Sequence, residues 1–186
     1  MIRAFVSIAP PEEAVAALVA AQAGMPAGRL VEAESLHLTL AFLGERPETE
    51  IEDVHYALSA IRSTVLRIRF AGLGLFEQGR SRVVVAEATP DEALTRLRDK
   101  VTQAARRAGV PLDRERWRPH VTLARLHGAP TPEELERLRA FVARGARFAA
   151  GPFQVSAFEL TRSRLGRAGA AYETMAVYPL WPEEPR

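Results

Sequence analysis

The chain carries one short pattern twice: Leu36-His37-Leu38-Thr39-Leu40-Ala41 and Pro119-His120-Val121-Thr122-Leu123-Ala124. Both copies read as strands, because polar and apolar residues alternate with a period of two. Successive strand side chains point to opposite faces. His37 and Thr39 therefore share one face, and Leu38 and Leu40 the other. His120 and Thr122 repeat the arrangement, with Val121 and Leu123 behind them. A single His-x-Thr on a strand says little, since both residues occur on half-exposed strands by chance. Two copies, each followed by a helical segment after a short loop, point to an internal repeat. A pseudo-two-fold relation between the halves would bring both pairs around one cleft.

The surrounding segments fit that plan. Residues 2–8 form a strand that stops at Pro10-Pro11, and Pro11-Glu12-Glu13 opens a helix to about Gln22. Gly24 to Gly28 is a loop. Gly44 ends the first motif strand. Glu48 to about Ser63 is a helix, with Ile51, Val54, Leu58 and Ile61 on one side. Val65 to Phe70, Leu73 to Phe76 and Arg82 to Ala88 are strands, with a turn at Gly79-Arg80. Asp91 caps a helix that ends at Gly109. Trp117 to Leu126 is the second motif strand. Thr131-Pro132-Glu133-Glu134 starts a helix to about Ala143. Phe148, Phe153 to Leu160 and Thr174 to Leu180 are strands. Arg162 to Ala170 reads as a loop, and the Pro/Glu-rich tail after Trp181 is expected to fray.

Composition narrows the chemistry. Hydrophobic residues are 47% and charged residues 26% of the 186 positions, enough for a packed core. With no cysteine, disulfides, thiolate nucleophiles, cysteine zinc sites and iron–sulfur clusters are excluded. No segment approaches the ~20 apolar residues of a membrane span. The N-terminus lacks a signal peptide's pattern, so a cytoplasmic location is expected. Net charge is only +2, but Lys100 is the only lysine among 25 basic residues. Arginine's planar fork suits phosphate, although coding bias alone can enrich it.

Two histidines and two threonines on one cleft suit phosphodiester hydrolysis. Water must lose a proton and the leaving oxygen must gain one. Imidazoles can do both near neutral pH, their ordinary pKa being ~6.5. Threonine hydroxyls can hold the non-bridging oxygens, where negative charge builds up. Substrate and product differ only by water, so no cofactor is required. No carboxylate lies in either motif, and threonines are poor metal ligands; no metal is expected.

The paired motifs resemble the 2H phosphoesterase superfamily. Leu36 to Gly44 and Arg118 to Arg125 are similar to the RNA 2',3'-cyclic phosphodiesterase family, historically called 2'-5' RNA ligases. Arg3 to Ile8 matches that family's opening strand and Tyr172 to Leu180 its closing one. The resemblance implies an α+β fold of two pseudo-symmetric lobes in a single domain spanning residues 1–186. Each lobe would be an antiparallel sheet with helices outside, around a central groove. It implies hydrolysis of RNA 2',3'-cyclic phosphate ends to 2'-phosphomonoesters. His37 would be the proton donor to the 3' oxygen, His120 the proton acceptor from water, and Thr39 and Thr122 the holders of the phosphoryl oxygens. The expected partners are RNA with such ends, tRNA fragments and cyclic nucleotides. The chain is expected to be a monomer with no membrane partner. Two alternatives stay open: 2'-5' ligation by the reverse reaction, and a module that binds nucleotides or RNA without turnover.

Three further residues are candidates for substrate binding. Arg118 shares strand parity with His120 and can pair with phosphate. Arg125 has the opposite parity; only a bulge or strand end would bring it into the cleft, though the resemblance argues for it. Phe42 could stack a base, but core packing is its expected role. His55 and His127 are expected to be exposed. The Arg162 to Arg167 segment, with Arg164, could cover the groove and steer RNA.

Overall fold

The computed structural model describes residues 1–78, 81–112, 116–126, 128, 130–166 and 169–182. His127, the Gly79-Arg80 turn and residues 183–186 of the tail lie outside them. The described chain runs β1 (Ile2–Ile8), α1 (Glu12–Ala21), β2 (Arg29–Leu30), β3 (Leu38–Arg46), α2 (Glu48–Ser59), β4 (Leu66–Gln78), β5 (Ser81–Ala88), α3 (Glu92–Arg107), β6 (His120–Leu126), α4 (Pro132–Arg144), β7 (Ala149–Val155), β8 (Ala157–Gly166) and β9 (Gly169–Pro179).

Helices α3 and α4 start where the sequence supplies side-chain caps, and α1 and α2 after a proline. Asp91 Oδ1 accepts the Leu94 N–H at 2.8 Å. Thr131 and Glu134 form a reciprocal capping box at α4. Each helix then buries one stripe. Leu18 of α1, Val54 of α2, Leu97 of α3 and Leu138 of α4 join the same buried cluster as Leu38, Leu40, Val121 and Leu123. All four helices therefore cover one face of the sheet. Each fully buried leucine contributes about 1.5–3 kcal/mol, so the apolar residues of both motifs anchor the strands. The opposite face, which carries the motif histidines and threonines, is left open.

The strands form one antiparallel sheet in the order β7-β4-β5-β6-β3-β1-β8-β9, with β2 paired to β6. It divides at the seam between β6 and β3, whose one ladder pair among the described residues is Leu38 with Val121. The two halves of the sheet are not the two halves of the sequence. β4 and β5 follow the first motif in the chain, yet lie beside the second; β8 and β9 follow the second, yet lie with the first. Two pairs of strands, β4–β5 and β8–β9, are thus exchanged across the seam.

Of the Arg162 to Ala170 loop expected from composition, residues 167 and 168 lie outside the described residues, and the rest is strand. β8 runs to Gly166 and β9 begins at Gly169, paired as a hairpin from Ala157↔Pro179 to Gly166↔Gly169. The register of β8 with β1 stops at Arg162, so the outer part of this hairpin projects past the sheet. There is little apolar surface to bury there, and Gly, Ser and Arg suffice. Backbone pairing holds the arm, helped by Arg164, which donates to Glu173 at 2.7 Å. Gly44 also fails to end its strand. It sits inside β3 at φ 75°, a conformation glycine adopts without steric cost, where the register with β1 is irregular.

Candidate active site

The Leu38–Val121 pair sets the site. Continuing its antiparallel register by one residue each way puts His37 opposite Thr122 and Thr39 opposite His120. All four are half-buried, between the buried Leu38, Leu40, Val121 and Leu123. The cross-seam arrangement gives each histidine the other motif's threonine as its neighbour.

Both histidines are oriented in the same way. Nδ1 of His37 donates to the Ser35 carbonyl at 2.7 Å, and Nδ1 of His120 donates to the Arg118 carbonyl at 2.7 Å. A carbonyl can only accept, so Nδ1 keeps its proton and Nε2 is left to accept or release one. An aromatic ring backs each imidazole. Phe5 stacks on His37 with centroids 4.7 Å apart, and Phe76 meets His120 edge-on at 4.9 Å. Tyr172, from the projecting hairpin, adds an edge contact to His37 at 5.0 Å.

Arg125 reaches the site through a bulge. Thr122 pairs with Val85 and Ala124 with Val84, so Leu123 is an extra residue in β6. The insertion resets the alternation. Leu123, Ala124 and Leu126 are buried, while Arg125 is exposed on the side of His120 and Thr122. Strict parity had pointed Arg125 away. The first motif has the same device: Thr39 pairs with Ser7 and Ala41 with Val6, leaving Leu40 extra. Phe42 occupies the place in β3 that Arg125 occupies in β6. The expectation that Phe42 packs in the core is corrected: it is 51% exposed, with the Arg3 guanidinium 4.8 Å from its ring.

Arg118 lies over Phe76, 3.9 Å from the ring centroid, and its Nη2 is 3.4 Å from Glu87 Oε2. Glu87, which the sequence reading did not single out, pairs in register with His120. Its carboxylate fits because position 74 is glycine; a Cβ there would come within 2.6 Å of Glu87 Oε1. Trp117, also unremarked in sequence, crosses the seam: its indole N–H donates to the Thr39 carbonyl at 3.1 Å. Phe5, Phe76 and Tyr172 carried no local motif, and only the strand pairing reveals them. His55 is not the exposed residue expected. It is half-buried in α2 and hydrogen-bonds the hydroxyl of the buried Tyr178 at 2.9 Å, away from the motif cleft.

The electrostatics make both imidazoles reluctant to charge. Burial is the main cause holding His37 below the ordinary histidine value; the Ser35 carbonyl opposes it, and the charges of Arg125 and His120 add to it. His120 is also lowered chiefly by burial. The Arg118 carbonyl and Glu87 raise it, while the Arg118 and Arg125 guanidiniums lower it. Arg125 thus acts on both histidines, and Glu87 on His120 alone. Among the described residues, no three of His, Cys, Asp or Glu form a group able to hold a metal ion. No helix among them is long and apolar enough to cross a membrane.

Residues 10–167 match the model of the 2'-5' RNA ligase superfamily. An RNA 2',3'-cyclic phosphodiesterase of Aeropyrum pernix is 34% identical, over 83% of this chain and 87% of its own. One from Thermus thermophilus is 33% identical, over 100% of this chain and 93% of its own. The crystal structure of TT0787 of Thermus thermophilus superposes with a TM-score of 0.78 at 32% identity, covering 98% of this chain and 100% of that one. Fold, paired motifs and relatives agree: the chain belongs to the 2'-5' RNA ligase superfamily.

Proposed function

We propose that this protein hydrolyses the 2',3'-cyclic phosphate at an RNA end and leaves the phosphate on the 2' oxygen. One observation carries the reading: two histidines on one open face, each with Nδ1 tied to a carbonyl and, among the described residues, Nε2 without a hydrogen-bond partner, each in register across the seam with the other motif's threonine. A binding module needs no such pair. The similar proteins of Aeropyrum pernix and Thermus thermophilus, both named RNA 2',3'-cyclic phosphodiesterases, support the substrate.

In this mechanism His120 Nε2 takes a proton from water as the water oxygen attacks phosphorus. The bond from phosphorus to the 3' oxygen breaks. His37, protonated at Nε2, gives its proton to that oxygen. Thr39 and Thr122 donate to the non-bridging oxygens as charge builds on them, and Arg125 and Arg118 offset that charge from the rim. Phe42 offers a face for the terminal base. Water supplies every atom gained, so no metal or cofactor enters the step. The Nδ1 ties keep the rings aimed throughout. Exchange with solvent resets the two proton states.

The test is turnover of adenosine 2',3'-cyclic monophosphate and of a short RNA with the same end. The 2'-phosphomonoester is the expected product. A 3'-phosphate would reverse the orientation of substrate in the cleft, and no turnover would overturn the proposal. The same acid and base also serve 2'-5' joining, with a 5' hydroxyl in place of water. Water at ~55 M outcompetes it unless that hydroxyl is held in place.

A further inference from the structure

The open face continues beyond His120 in one direction. β5 lies next to β6, and β4 next to β5. On β4, Leu66, Ile68 and Phe70 are buried, while Arg67 and Arg69 between them are exposed. Phe70 pairs with Ala88 and Leu73 with Ala86, all four buried, so the irregularity between them does not change which side faces the core. Glu87, on the other side of β5, is in register with His120. Arg67 and Arg69 therefore stand on the same open face as His120, two strands or about 10 Å sideways at ordinary strand spacing, and further along the strands, with Arg69 level with Thr89.

Glu87, the acid between Arg69 and the cleft, is engaged by Arg118. Among the described residues neither Arg67 nor Arg69 makes an ion pair. Across the seam the same face carries hydroxyls: Ser7, Thr161 and Thr174, with the Glu159 carboxylate accepting from Thr174 at 3.1 Å. The β8–β9 hairpin, with Tyr172 against His37, walls that side. The α2 acids Glu48, Glu50, Glu52 and Asp53 belong to the helical side of the sheet. Arg3, over the Phe42 ring, and Arg29, in register with Arg125, add positive charge close to the cleft; beyond β5 a polyanion leaving the cleft meets Arg69 and Arg67.

We propose that RNA upstream of its cyclic end leaves the cleft across β5 and β4, its backbone phosphates resting on Arg69 and then Arg67. The inference rests on the RNA reading of the cleft. It assigns the arginines of β4 to chain length, not to chemistry. A mononucleotide ends before it reaches them.

The test uses the full chain and two measurements. Fluorescence anisotropy reports binding of a labelled short RNA ending in a 2'-phosphate, which needs no turnover. Hydrolysis of adenosine 2',3'-cyclic monophosphate reports the cleft alone. The double variant R67Q/R69Q is expected to bind the RNA about tenfold more weakly. Its log–log salt dependence should be shallower by about 1.4, two single-strand phosphate contacts. Mononucleotide hydrolysis should be unchanged. R67K/R69K keeps the charges and should keep the salt slope. R106Q/R107Q removes the same charge from exposed positions of α3, on the helical side, and should leave RNA binding as it was. The proposal is overturned if R67Q/R69Q binds RNA like the wild type, or if R106Q/R107Q weakens binding equally. Failure of the wild type to hydrolyse the mononucleotide would instead overturn the catalytic reading, leaving the binding result to stand separately.

Discussion

Leu38 faces Val121 across the seam between β3 and β6, and the four polar motif residues each stand one position from that pair. The two histidines are thus equivalent in position and differ in surroundings. His37 has Phe5 and Tyr172 against it; His120 has Phe76, Arg118 and Glu87 nearby.

Removing either imidazole is expected to slow hydrolysis at least ~100-fold, the scale of a positioned acid or base. The double variant should lose far less than the product of the single losses, because the pair acts as a unit. Chelator should leave the wild-type rate unchanged; a rate abolished by chelator and restored by zinc or manganese would refute the two-histidine mechanism. A 3'-thio cyclic substrate separates the roles, since a thiolate departs without a proton. His37→Ala should recover much of its rate on that substrate and His120→Ala should not. Recovery by His120→Ala would reverse the assignment.

The pH profile of kcat/KM should be a bell with its maximum on the acid side of ~6.5, since burial lowers both imidazoles. Arg125→Gln removes a cation that disfavours the charged form of both, so both limbs should move to higher pH. Glu87→Gln removes an anion that favours charged His120 alone, so one limb should move to lower pH. Rate profiles of the three proteins check this, and an Arg125→Gln profile superposable on the wild type would place Arg125 outside the site.

Thr39→Ala or Thr122→Ala should raise the barrier by about 2–4 kcal/mol, the value of one donor to a developing oxyanion. The loss should fall on kcat more than KM. Thr→Ser should recover much of it. An unchanged kcat for Thr39→Ala would mean that this hydroxyl does not face the reacting phosphate.

Trp117→Phe keeps a ring beside Arg98 but loses the indole donor to the Thr39 carbonyl. Denaturant unfolding should show a loss of about 0.5–1.5 kcal/mol, one net hydrogen bond. As a positioning residue, Trp117 should affect kcat more than KM while leaving the pH limbs in place. Equal effects on kcat and KM would reduce it to ordinary packing.

The two His-x-Thr pairs were legible because strand alternation is local and each motif is short. His37, Thr39, His120 and Thr122 needed nothing beyond that rule to share a face. Parity alone pointed Arg125 away from the cleft, with a bulge as the one route in, and Phe42 was expected in the core; one extra residue, Leu123 or Leu40, resets the alternation in each strand, and no local residue marks a bulge whose cause is the partner strand. Phe5, Phe76 and Glu87 enter through register with distant strands, which depends on pairing and not on neighbours in sequence. The outer β8–β9 hairpin was read as a loop because its stability comes from backbone pairing, while the expectation weighed hydrophobicity. The exchange of strands across the seam was invisible for the same reason: each strand is recognisable alone, but its neighbour is chosen by the whole fold.

The single backbone pair at the seam has a mechanical consequence. Each histidine is fixed within its own half by a short hydrogen bond and a ring behind it, whereas the halves share one rung of ladder. The sheet is thin at that rung, and what joins the halves there is the shared core beneath, with α3 packed on both β3 and β4 and Trp117 reaching across to Thr39. The aim of each imidazole is therefore set within its own half, and the spacing between them by the helical side of the sheet.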